Sequence, residues 1–424
     1  MTVPEWAKAT RLESVVGALG RRGSALGDTG RRIPSAHLVS PRADKLGVVI
    51  AAILAYGAAV APFATFRANR IVPGEGRTIL EALPAWASIL LLSIIAVAGI
   101  VALLRTPALA RLGVAAVALV ALAVLVGIAA LHLTPPESPY ARVSPASGFW
   151  LLLFAFALFA ADALTRLRLS AGARIGALAA VAAGIWLLLA LGSWDGLSIL
   201  KEYASRADSF WAEAGRHVEL ALGSLAAAVI AGVPLGILCH RVDALRDAVL
   251  NVLNAIQTIP SIALFGILIA PLGWIAANVP GAAAIGIRGV GVAPAFVALF
   301  LYSLLPVVAN TVVGLAGVPE EANDAARGVG MTERQRLFQV EFPLALPVIL
   351  TGIRIVLVQN IGMATIAALI GGGGFGVFVF QGIGQTAADL VLLGAVPTVA
   401  LAFAVAVILD AIIELSRADR GRTA

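Results

Sequence analysis

Residues 315–344 read LAGVPEEANDAARGVGMTERQRLFQVEFPL. Eight of these thirty residues are charged, in a chain where only 13% are. Apolar runs at about 292–314 and 345–370 flank them, each long enough to cross a bilayer. The stretch is therefore a polar loop between two membrane spans, and it carries its own helix signals. Pro319 suits a helix entrance, and Glu320 and Glu321 place acids in the first turn, where the helix dipole favours them. Gly328 and Gly330 then mark a turn. Thr332 with Gln335 forms a capping-box pattern for a second helix, predicted to end before Pro343. The reading is a helix–turn–helix projecting from the membrane.

Working outward, the 424 residues are 60% hydrophobic, far from the composition of a soluble domain with about 25% charged residues. This excludes an ordinary soluble enzyme, a disordered protein and a disulfide scaffold; Cys239 is the single cysteine. The histidines, His37, His132, His217 and His240, lie at no metal-ligand spacing. Span-length apolar runs appear at about 46–66, 84–104, 112–133, 149–167, 174–194, 217–239, 249–270, 292–314, 345–370 and 390–415. The expected fold is an all-α polytopic membrane protein of about ten transmembrane helices.

Charge orients it. With the N-terminus in the cytosol, 21 Lys and Arg fall in cytosolic segments and eight outside, as the positive-inside rule requires. Both termini are then cytosolic, and so is the 315–344 loop. Residues 1–45, polar and Arg-rich, read as a disordered cytosolic tail and are too long for a signal peptide. Residues 46–194 form an accessory five-span region, 195–216 an external amphipathic linker, 217–415 a second five-span region, and 416–424 a short cytosolic tail. Five spans per half place the halves in opposite topology, the arrangement of an ion-coupled secondary transporter with inverted repeats. The halves share no motif, however, and the helix–turn–helix belongs to the second alone.

Asp324-Ala325-Ala326, then Gly330, then Val340-x-Phe342-Pro343, resembles the EAA signature of ABC importer permeases. The spacing matches throughout, with Asp for Glu, Val for Ile and Phe for Leu. The run Gln257-Thr258-Ile259-Pro260-Ser261 is similar to the osmoprotectant branch of these permeases, which imports glycine betaine, choline or proline-like solutes. So are Gly352-Ile353-Arg354, Val358-Gln359-Asn360 and the glycine run 371–376. The resemblance covers about 217–415. It implies a C-terminal five-helix permease core of the type I importer class in a bacterial inner membrane. It also implies ATPase-coupling roles for Glu321, Asp324, Ala325, Ala326, Gly328, Gly330, Phe338 and Pro343. The implied partners are ABC ATPase subunits, a second permease and an external solute-binding protein.

The chain has three lysines, Lys8, Lys45 and Lys201, and none follows glycine, so it holds no phosphate-binding P-loop. ATP and Mg are therefore expected on the partner ATPase, with no cofactor on this chain. It is expected to be a transport subunit and no enzyme, and its basic excess implies no nucleic-acid partner. Gly371–Gly376 fits a dinucleotide fingerprint by letter, but it follows a membrane helix where that fingerprint follows a strand; a flexible, re-entrant turn is the better reading.

Asn251, Asn254, Thr258 and Ser261 recur at helical spacing on one face and, with Gln257, are candidates for lining a translocation pathway. Pro260 beside them should loosen the helix. Asn310, Gln359, Asn360 and Thr365 are further pathway candidates. Asp162 and Arg166 are spaced as a helical ion pair. Asp410 and Glu414 are expected to reach the membrane interface, and Arg354 to snorkel to the cytosol or pair with a neighbour, with the snorkel reading preferred.

Overall fold

The computed structural model describes residues 44–69, 72–135, 138 and 140–423, with the backbone alone for 417–423. The expected N-terminal tail lies outside the described residues except for Asp44 and Lys45. Helix α1 (Lys45–Ala59) is followed by two strands, β1 (Ala64–Arg67) and β2 (Glu75–Arg77), and a single turn, α2 (Ile79–Ala82). Helices α3 (Ala85–Leu103) and α4 (Ala108–Leu133), strand β3 (Arg142–Pro145), and helices α5 (Ser147–Leu167) and α6 (Ala171–Ala190) complete the N-terminal region.

The strands form an antiparallel sheet in the order β2-β1-β3, a small feature that the all-α reading does not include. Among the described residues nine helices are long and apolar enough to cross a membrane. The expected first span is shorter. Helix α1 has 15 residues, about 22 Å of rise, and the chain then turns into β1.

One continuous core holds α1, α3, α4 and α5 together, built from Ile50, Leu54, Leu91, Leu122 and Phe156 among others. Its charged anchor is Arg111, which is fully buried. The guanidinium lies 2.9 Å from Asp162 and 3.5 Å from Asp44, donates to the carbonyls of Ala102 and Leu104, and sits over the Phe159 ring. Arg166 closes the network by pairing with both Asp44 and Asp162. Arg111, just outside the expected span 112–133, is thus an interior charge, and burying it is tolerable because two carboxylates meet it.

The rest of the chain begins with the short α7 (Ser198–Ala204) and the 35-residue α8 (Ala207–Arg241). At about 52 Å, α8 is longer than a bilayer core is thick, so the second half of the expected linker 195–216 is its projecting first turns. The expected span 249–270 is not one helix. Asp243–Thr258 is an amphipathic helix, α9, and Ser261–Asn278 is a separate one, α10. The break falls at Ile259, which is extended because a residue before proline is driven out of the helical region.

Helix α11 (Val292–Ala316) is the central element, packed on α8 and α14 (Phe342–Ala364). Gly232 and Gly236 make the α8–α11 approach close. A Cβ at Gly236 would stand 2.6 Å from the Thr311 Cβ, and one at Gly232 2.9 Å from a Val307 methyl. Helices α12 (Glu320–Gly328) and α13 (Glu333–Arg336) join α11 to α14. After α14 come a 3-10 turn (Ile366–Ile370), α15 (Gly376–Gly384) and α16 (Ala388–Thr423), whose backbone stays helical through most of the expected C-terminal tail.

Candidate functional site: the coupling loop and the polar interior

Helix α12 opens after Pro319 and ends at Gly328; Gly330 then takes a left-handed turn at φ 80°, which favours glycine. Thr332 and Gln335 form both bonds of the capping box and start α13. Of the expected coupling residues, Glu321, Asp324, Ala325, Gly328, Gly330 and Phe338 are exposed, and Val329 adds an apolar tip. Ala326 faces inward, 4% exposed, and serves as the seat of α12.

The second helix does not end before Pro343. It widens into a π turn over Leu337–Glu341 and continues as α14, so residues 333–364 form one rod. Proline lacks an N–H and its ring crowds the carbonyl four residues back, so the wider turn lets the helix pass through Pro343. Glu341 closes that turn. It is 4% exposed, accepts from Arg336 Nε at 2.8 Å and from Arg241 Nη2 at 2.8 Å, and so joins α13, the base of α14 and the end of α8. Sequence reading passed over Glu341. Its only signal is an acid at the mouth of an apolar span.

The polar candidates separate into two groups. Asn251, Asn254 and Thr258 are exposed on α9, whereas Ser261 opens α10 beyond the break, so the four do not share one helix face. Gln257 points inward and donates to the Tyr302 carbonyl at 2.9 Å, while the Tyr302 hydroxyl donates to the carbonyl of Ile259. Tyr302, absent from the expected set, thus caps the carbonyl at the helix break.

Asn360 is fully buried. Its amide nitrogen lies 2.9 Å from both Ser224 Oγ on α8 and Ser303 Oγ on α11. That amide knots three helices, α8, α11 and α14. Asn310 donates within α11 to the Pro306 carbonyl, and its side chain fills the space above Gly352. Gln359 contacts the Met363 sulfur, and Thr365 occupies the end of α14.

At the end remote from the coupling loop, the glycine run makes the expected turn. Gly371, Gly373 and Gly374 have φ of 76°, 78° and 85°. Glu213 accepts from the Gly374 N–H at 2.6 Å, and His217 Nδ1 from the Phe375 N–H at 3.4 Å, so the first turns of α8 hold the run. Two charged residues of the last spans have ion-pair partners. Arg354 Nη1 lies 2.5 Å from Asp410 Oδ1 on α16, which ties α14 to α16. Glu414 pairs with Arg174 on α6.

The described residues thus present an exposed two-helix loop that continues into a membrane-length rod on a helical bundle. Residues 232–418 match the binding-protein-dependent transport system inner membrane component family. Residues 44–200 match the N-terminal domain of ABC transporter permease YehY. The chain is 45% identical over 180 residues to the osmoprotectant import permease protein OsmW of Salmonella typhimurium, covering 42% of this chain and 79% of that protein. It is 41% identical over 217 residues to OsmY of the same organism, covering 50% and 84%. With the Bacillus subtilis glycine betaine/carnitine/choline permease OpuCB it shares 37% over 188 residues, covering 44% and 79%. A chain of the MetNI methionine ABC transporter overlies half of this one, at 21% identity and a TM-score of 0.43. The chain belongs to the ABC importer permeases, in their osmoprotectant branch, and carries an N-terminal extension.

Proposed function

We propose that this chain is the membrane subunit of an ATP-driven importer for a compatible solute such as glycine betaine or choline, in a bacterial inner membrane with both termini cytosolic. The observation that carries this is the coupling loop. Its outer surface is exposed and mixed in character, with acids on α12 and the apolar Val329 and Phe338 beside them. Its inner side is rigidly joined to α14 and α8 through Glu341. A partner ATPase that binds and hydrolyses ATP with Mg would grip this surface, and its movement would pass into the membrane rods. An external binding protein would deliver the solute at the opposite end.

The exposed amides of Asn251 and Asn254 support a second permease, a copy or a paralogue, facing α9 across the pathway. Polar side chains turned to lipid are costly, whereas dipoles lining a polar route suit a zwitterion or a quaternary ammonium solute. Membership in the family sets the ion-coupled alternative aside.

The test is purification from the native membrane in mild detergent, comparing wild type with Ala325→Arg, Phe338→Ala. An ATPase subunit should accompany wild type and be depleted at least tenfold in the variant, with betaine-stimulated hydrolysis recovered after reconstitution with the binding protein. Full retention of the ATPase by the variant would refute docking on this surface.

A further inference from the structure

The N-terminal region meets the permease core chiefly along one helix, α16, and it grips that helix at both ends. Near the coupling-loop end, Arg174 of α6 pairs with Glu414; both side chains are partly exposed, so this tie is weak. The other end is different. Asp389, in the first turn of α16, is 6% exposed, and its two carboxylate oxygens accept from two hydroxyls, one in the N-terminal sheet and one in α7, which bridges to that sheet. Ser144 Oγ of β3 lies 2.5 Å from Oδ1, and Ser198 Oγ of α7 lies 2.6 Å from Oδ2. Ser144 and Ser198 are themselves buried. The helix N-terminus and two short charge-assisted bonds make the buried carboxylate tolerable without a cation.

The surroundings give the contact its direction. Leu197, just before Ser198, bridges to Val143 in the sheet, so α7 is an extension of the N-terminal sheet. Ile199 and Tyr203 of α7 pack into a cluster with Phe375, Phe378, Leu390 and Leu393. Phe375 ends the glycine run, and Phe378 lies on α15. Through α7 the contact therefore reaches the turn that holds three left-handed glycines, Gly371, Gly373 and Gly374. Helix α16 is in turn ion-paired through Asp410 to Arg354 of α14, the rod that rises from the coupling loop.

Resting on the permease reading above, we propose that Asp389 is a positioning residue through which the N-terminal region sets the 371–390 segment for transport. The first helices are a brace on this segment, held by the two serine hydroxyls.

The experiment compares wild type with Asp389→Ala, with Ser144→Ala, Ser198→Ala, and with Ser144→Thr, which keeps a hydroxyl. Amide hydrogen exchange is read on the detergent-purified full chain, and betaine uptake per ATP hydrolysed on the reconstituted importer. Loss of two charge-assisted bonds should speed exchange across 371–390 about tenfold or more and leave α11 unchanged. Uptake per ATP should fall with it, and Ser144→Thr should match wild type in both. Unchanged exchange in both alanine variants overturns the proposal. So does faster exchange with an unaltered uptake-to-ATP ratio, because a contact that only holds the fold together would give that result. If wild type itself shows no ATP-driven uptake, the permease reading has failed separately, and the exchange result still decides whether the brace exists.

Discussion

Arg111 shows how a single residue can decide the stability of a whole region. It is buried with two carboxylates, two carbonyls and an aromatic ring around it. Replacing it by leucine leaves Asp44 and Asp162 sharing Arg166, and the loss is bounded by what breaking a buried pair from one side costs, about 3–5 kcal/mol. Arg111→Leu should therefore lower the thermal midpoint of the detergent-purified protein by several degrees, and Arg111→Met with Asp162→Asn should recover part of the loss. A midpoint equal to wild type for Arg111→Leu would show the network to be idle. The same cluster has a pH signature. Burial pushes the Asp44 carboxyl up, but the Arg166 hydrogen bond and charge, the Leu46 N–H and the Arg111 charge outweigh it and hold the carboxyl below its ordinary value of 3.8. A carboxyl depressed in the fold adds stability above its unfolded pKa and loses it as the pH falls through the folded one. Thermal midpoints should thus be insensitive to pH near neutrality, where the Asp44 contribution is fully present, and drop below about pH 4, more steeply in wild type than in Asp44→Asn.

At the scale of an element, the rod 333–364 is the unit of interest. Its capping box and its glycine turn were readable from Thr332, Gln335 and Gly330, because caps and turns are local. Its passage through Pro343 was not, because the π turn that allows it is fixed by Glu341 reaching Arg241, a residue 100 positions away. If that joint transmits motion from α12 to α8 and α14, Glu341→Gln should separate the two activities. ATPase binding and hydrolysis should persist within about twofold while betaine uptake falls tenfold or more, with Glu341→Asp intermediate. Equal losses in hydrolysis and uptake would make Glu341 a residue of assembly alone. The α9–α10 break teaches the same lesson. Pro260 announced a weak point, but that Tyr302 would cap it depended on α11 lying alongside.

For the molecule as a whole, the exposed face of α9 has a definite expectation. In a Cys239→Ser background, Asn251→Cys and Asn254→Cys should form disulfide-linked permease pairs in the assembled importer, and betaine should slow their reaction with a charged thiol reagent. The absence of both cross-linking and protection would place this face against lipid. The two-part organisation is also a whole-molecule property. The N-terminal sheet, α7 and Asp389 meet although Ser144 and Asp389 stand 245 residues apart.

The sequence by itself determined the class. Apolar run length and the spacing of the coupling-loop residues are one-dimensional quantities, and they report membrane spans and the permease family directly. Tertiary structure alone decided which polar residues face outward and which are consumed in knots. Asn251 and Asn360 are the same amide in the same kind of apolar surroundings, yet one is exposed and the other is saturated by Ser224 and Ser303. The physical reason is that a buried polar group takes its role from the partners that satisfy it. In a helical bundle those partners come from other helices, at separations that no local pattern encodes.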